Sequence, residues 1–217
     1  MVTRYLKRII GHREIKETII DKMVYKEREK SFSGGSLSDS NILIVTNRSI
    51  SEDAAIRLLR NENAGFNILY LNNLMSCSDI TDAATDLIGP FTHIVNVVWY
   101  EKTTNIESEI GGSNDDAMFR IYQWHQEEVD YLVKLNQYGT LCTVFIGNEE
   151  IDSDVIKKNV ELLVKGLAES LANHGLICNG IVANQSVPIE ELLCSALFLS
   201  SKYGQIMTGE VLHMETR

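Results

Sequence analysis

The sequence predicts an α/β domain: a parallel sheet with helices over both of its faces. Two observations predict it. From Asn41 onward, short apolar runs alternate with longer stretches of helical periodicity, the pattern of repeated strand–helix units. The 217 residues are also long enough to bury the core of one such domain.

The elements follow in order. Ile42 to Thr46 is an apolar run that ends at a polar turn, and Asp53 to Arg60 has a helical pattern. Asn67 to Asn72 reads as a second strand, and Asp79 to Ile88 as a short helix opened by Asp79-Ile-Thr-Asp82. His93 to Trp99 is a strand of the buried type, Asp115 to Leu135 a long helix, and Leu141 to Ile146 the next strand. Asp154 to His174 is a long helix, Leu176 to Ala183 a strand, Ile189 to Ser201 a helix and Glu210 to Met214 a last strand. Strands separated by helices pair in parallel through right-handed crossovers, which gives a doubly wound, Rossmann-type sheet.

The first 40 residues differ. They carry nine Lys/Arg against six acids, with apolar residues near helical spacing at Leu6, Ile9, Ile10, Ile19, Ile20 and Met23. We expect residues 1–40 to form an amphipathic helical arm and linker, with Ser31 to Ser40 as a flexible connector to a domain spanning 41–217. Such an arm packs on its own domain, docks on a partner, or lies on an anionic surface.

Composition excludes several classes. A net charge of −10 is the wrong sign for a nucleic-acid binder and suits a chain kept dispersed by its own charge. Cys77, Cys142, Cys178 and Cys194 form no C-x-x-C pair, and Cys142, Cys178 and Cys194, inside apolar runs, read as buried reduced thiols; the histidines show no metal-ligand spacing, so no metal site is expected. No apolar run approaches the roughly 18 residues of a membrane span. With no signal-peptide pattern at Met1 to Ile10, a cytoplasmic location is the expectation.

Four pieces near the C-terminal end then carry a resemblance. They are Gly166-Leu-Ala-Glu-Ser-Leu-Ala172, Gly175-Leu-Ile-Cys-Asn-Gly-Ile-Val182, Ala196-Leu-Phe-Leu-Ser-Ser201 and Met207-Thr-Gly-Glu-Val-Leu-His213. In order and approximate spacing they resemble the short-chain dehydrogenase/reductase (SDR) family, as do Ile44-Val-Thr46, Asp79-Ile-Thr81 and Ile94-Val-Asn96 upstream. The resemblance covers residues 41 to 217 and implies the Rossmann-like fold of that family.

It does not extend to the chemistry. The family's T-G-x-x-x-G-x-G turn cradles a pyrophosphate on closely approaching backbone. Here it reads Thr46-Asn-Arg-Ser-Ile-Ser-Glu-Asp53, with Asn47, Ser51 and Asp53 at the three glycine positions. A carboxylate about 4 Å from a phosphate charge costs roughly 4 kcal/mol at an effective dielectric of 20. The family's N-N-A-G becomes Asn96-Val-Val-Trp99, and its P-G becomes Ala183-Asn184. The catalytic Tyr and Lys, four apart on one helix face, fall at Lys157 and Glu161, and the catalytic Ser at Ile146 or Gly147. The helix Asn of the family falls within Gln123, Trp124 and His125. Only Gln185 to Val187 stand where active members carry a longer substrate lid.

The resemblance therefore implies a chain without a nicotinamide cofactor or a dehydrogenase site. It is similar to the inactive subunit of heteromeric SDRs, such as the benzylsuccinate-pathway hydroxyacyl-CoA dehydrogenase type. The expected partner is a catalytically intact SDR paralogue, in a hetero-oligomer such as a heterotetramer. Two other functions remain open at this point: a regulatory or scaffold homo-oligomer binding a small ligand in the old cleft, and an enzyme with relocated chemistry. The acidic Glu149, Glu150, Asp152 and Asp154 read as a solvated loop, and Trp99, Tyr100, Trp124 and His125 as aromatics lining a small pocket or filling the cleft.

Overall fold

The computed structural model describes residues 36–38, 40–50, 57–59, 64–70, 90–100, 114–135, 138–147 and 153–215. The expected N-terminal helix, the helix at Asp79 to Ile88, the positions Ser51 and Asp53, and the acidic loop at Glu149 to Asp152 lie outside these residues.

Six strands form one sheet: β1 Asn41–Thr46, β2 Gly65–Tyr70, β3 His93–Tyr100, β4 Gly139–Gly147, β5 Leu176–Asn184 and β6 Val211–Met214. Their spatial order is β2-β1-β3-β4-β5-β6, and every pairing is parallel. The helices are α1 Asn114–Leu135, α2 Ser153–Ala172 and α3 Ile189–Ser200. This is the doubly wound, Rossmann-like arrangement that the alternating pattern predicts.

The central strands are apolar on both faces because both faces are covered. On one face Ile42, Ile44, Val95 and Val144 meet Leu193 and Leu197 of α3. On the other Leu43, Ile94, Phe145 and Cys178 meet Trp124 of α1 and Val164 of α2. Gly180 lets α2 come down onto β5: a Cβ there would stand 2.8 Å from Val164 Cγ2.

Boundaries shift where pairing or a cap overrides periodicity. β2 starts at Gly65 rather than Asn67, because its register is set by β1, with Asn41 opposite Gly65. α2 stops at Ala172 rather than His174: Gly175 adopts φ +69°, and its N–H donates to Ala172 O at 3.2 Å. Leu37, expected in a flexible connector, is 1% exposed in the α3-side core, so the end of that stretch packs on the domain.

The segment between α3 and β6 explains one retained motif. Gly209 N–H donates to Cys178 O at 2.7 Å, and Asn179 binds Met207 O and Glu210 N through its side chain. Gly209 has φ +75° with Ala168 Cβ 3.4 Å from its own Cβ position. The Thr-Gly turn thus serves to dock β6 and needs no ligand to account for it.

Candidate functional site

In an open parallel sheet, ligands bind beyond the carboxyl ends of the strands at the switch point, where strand order reverses. Here that point is the gap between β1 and β3. Asn47 follows β1 directly, and its side chain lies across the gap. Asn47 Nδ2 donates to Trp99 O at 2.9 Å, and Trp99 N–H donates to Asn47 Oδ1 at 2.9 Å. Thr46 Oγ1 tightens the same turn, donating to Arg48 O at 2.8 Å and accepting from Arg48 N–H at 3.2 Å. Both Trp99 backbone groups are used, and an amide occupies the place where a glycine would leave the turn open. Among the described residues, the start of this turn does not fit the close backbone approach of a dinucleotide.

Trp99 packs against the α3-side core, whereas Trp124 and His125 lie buried in the core under α1. The expectation that Trp99 shares a pocket with Trp124 and His125 is therefore corrected: Trp99 packs on the α3 side of the sheet, while α1 holds Trp124 and His125 on the other.

The positions expected for the catalytic pair are on α2 at the same edge. Lys157 Nζ donates to Glu215 Oε1 at 3.3 Å, and Glu161 Oε1 lies 3.3 Å from Nε2 of His213 on β6. Both side chains are thus turned to the end of the last strand, away from the β1–β3 gap. Ile146 is 2% exposed in the core and Gly147 offers no side chain, so neither position carries a hydroxyl.

Beyond β5 the chain turns at once. Gln185 N–H donates to Gly147 O at 3.1 Å, Val187 N–H to Asn184 O at 3.2 Å, and the Ser186 hydroxyl bonds Asn184 Oδ1. Pro188 then caps α3, with Glu190 and Glu191 in the first helical turn, where acids suit the dipole. No segment between β5 and α3 is long enough to close over a ligand.

One group that the sequence reading missed is Glu128. It sits 2% exposed under α1, and Asn96 Nδ2 donates to its Oε2 at 2.8 Å. Burial pushes its carboxyl up to about 8, against the lowering effect of the Asn96 hydrogen bond and with a smaller raising effect from Glu127. The signal was present: Trp124, Glu128 and Leu132 recur every four residues, so an acid stands within an apolar stripe.

At the opposite edge, His93 links three segments. Its Nδ1 lies 2.8 Å from Thr140 Oγ1 and its Nε2 3.1 Å from Ser40 Oγ. Burial holds the imidazole down at about 4, so it is neutral.

The fold so described is that of the short-chain dehydrogenases/reductases. A short-chain type dehydrogenase/reductase from Mycobacterium marinum superposes with a TM-score of 0.56 at 15% identity, covering 82% of this chain and 94% of that one. A variant short-chain dehydrogenase/reductase from Serratia marcescens gives 0.56 at 15% identity, covering 83% and 97%. The enoyl-[acyl-carrier-protein] reductase (NADH) from Aquifex aeolicus VF5 gives 0.60 at 21% identity, covering 82% and 96%. No family model and no curated protein matches the chain. Among the described residues, no group of three or more His, Cys, Asp or Glu could hold a metal ion, and no helix is long and apolar enough to cross a membrane.

Proposed function

We propose that this chain is a non-catalytic subunit on the SDR scaffold that assembles with a catalytically intact paralogue and supports it. The observation that carries the reading is the Asn47 side chain lying across the β1–β3 gap and bound to both backbone groups of Trp99. Two further observations agree with it. Lys157 and Glu161 are engaged with Glu215 and His213, and the turn from Asn184 to Pro188 leaves no lid.

Assembly is supported by the outer face of α2. Leu162 is 71% exposed there, and one turn on, a Cβ at Gly166 would meet nothing within 4 Å. A projecting apolar side chain beside a bare backbone patch suits close approach of a second helix. A hydroxyacyl-CoA dehydrogenase is the partner type the sequence resemblance suggests.

Calorimetric titration of the purified chain with NAD(H) and NADP(H) tests the central point. No heat up to millimolar nucleotide is the expected result. Micromolar binding overturns the reading, because the β1–β3 edge would then open to a pyrophosphate.

A further inference from the structure

The core beneath α1 contains a run of polar side chains that the proposed function does not use. Asn96 on β3, Thr143 on β4, and His125 and Glu128 on α1 are each at most 2% exposed. They form a chain of hydrogen bonds. Asn96 Nδ2 donates to Glu128 Oε2 at 2.8 Å and to Thr143 Oγ1 at 3.4 Å, which uses both amide hydrogens. Thr143 Oγ1 lies 2.6 Å from His125 Nε2, which extends the chain to α1.

Two atoms are left over. Asn96 Oδ1 and Glu128 Oε1 are buried and have no hydrogen-bond partner among the described residues. If Glu128 were ionised, both would be acceptors without a donor, on groups already bonded to each other. A buried acceptor left unpaired costs about 1–3 kcal/mol, and more when charged. A single proton answers for both.

We propose that Glu128 is a neutral carboxylic acid in the folded chain, that its Oε1–H is donated to Asn96 Oδ1, and that this proton locks α1 to the sheet. The two planar groups then face each other through a ring of two hydrogen bonds, N–H to Oε2 and O–H to Oδ1.

Among the described residues, those packed around Glu128 are mostly apolar. β1 contributes Leu43 and Val45 to this core, and α2 contributes Val160 and Val164, all apolar. β5 contributes Cys178, whose thiol is pushed up by burial. On α1, Glu127 adds a like charge. No Lys or Arg is among the buried described residues. His125, three residues before Glu128 on the same helix, is held by Thr143 through Nε2.

The sign of the pH effect follows from linkage. A carboxyl raised from 4.5 to about 8 on folding binds a proton that the unfolded chain releases, so stability falls as pH rises across that window. The test compares wild type with Glu128→Gln, whose amide can repeat the ring without titrating. Infrared spectra at neutral pH should show a protonated-carboxyl carbonyl band in wild type that the variant lacks. Urea unfolding should show wild-type stability falling from about pH 6.5 to about pH 8, and the difference between wild type and variant changing across the whole window from about pH 4.5 to about pH 8. Near the upper limit the variant should have at least about a tenfold larger folding constant. Absence of the band from wild type, or the same pH slope in both chains, overturns the proposal. Should Glu128→Gln misfold, the wild-type band still decides: it must disappear with a midpoint above neutrality.

Discussion

Asn47 and Trp99 are joined as two strand residues would be, except that one partner contributes a side-chain amide in place of backbone. The amide extends the β1–β3 pairing one step past Thr46, which lies opposite Val97 in the register.

Replacing Asn47 by Gly removes both hydrogen bonds and adds backbone freedom. A loss of about 1–3 kcal/mol is expected, from roughly 0.5–1.5 kcal/mol per bond. Urea unfolding measures it. An unchanged midpoint would mean that the side chain is not bound to Trp99 in solution.

Acid should weaken the fold through His93. Its folded pKa of about 4 lies below the ordinary 6.5, so the unfolded chain binds the proton more readily. The His93 contribution is full above about 6.5 and is lost as pH falls toward about 4, by of order 3 kcal/mol in all. In His93→Gln, unfolding followed from neutral to acid pH should lack that part of the slope.

Gly180→Ala should cost about 1–3 kcal/mol by overpacking. The added methyl would meet Val164 Cγ2 at 2.8 Å and Val211 Cγ2 at 3.4 Å, and neither branched side chain can turn away freely. Thermal unfolding measures it; an unchanged midpoint would mean that α2 does not pack closely on β5 at Gly180.

Lys157→Ala and Glu161→Ala should each leave stability within about 1 kcal/mol, because partly exposed ion pairs contribute little. If the isolated chain turns over a substrate and either change abolishes that turnover, the residues act in catalysis and the non-catalytic reading fails.

Leu162→Glu should leave the folded chain intact and weaken its association with a paralogue. Size-exclusion chromatography of the co-expressed pair checks this, with circular dichroism as the folding control. Undiminished co-elution would remove the outer face of α2 from the interface.

Much of the sheet was legible because its strands are apolar runs with no competing periodicity: Ile42 to Thr46 and Leu141 to Ile146 each fall inside an observed strand. What was not legible depends on partners distant in sequence. The start of β2 is set by Asn41, and the burial of Leu37 by a core that includes α3. At the site, substitution of Asn47 and Trp99 could be read from the motif, but not their mutual hydrogen bonds across 52 positions. Lys157 and Glu161 were legible as departures, whereas their engagement with Glu215 and His213 required the position of β6. Glu128 was visible as an acid in an apolar stripe, yet its chemistry depends on Asn96, 32 residues away.

The β1–β3 seam is clamped at both extremities. Asn47 holds Trp99 at the carboxyl end, while His93 grips Ser40 and Asn41 Nδ2 donates to Pro90 O at the amino end. In an open sheet a guest enters the crevice beyond the carboxyl end of such a seam, where the connections diverge. Here fraying should start instead at the four-residue strand β6, on the far side of the molecule. Amide exchange would then trace a hinge displaced outward, with the centre of the sheet behaving as a rigid keel.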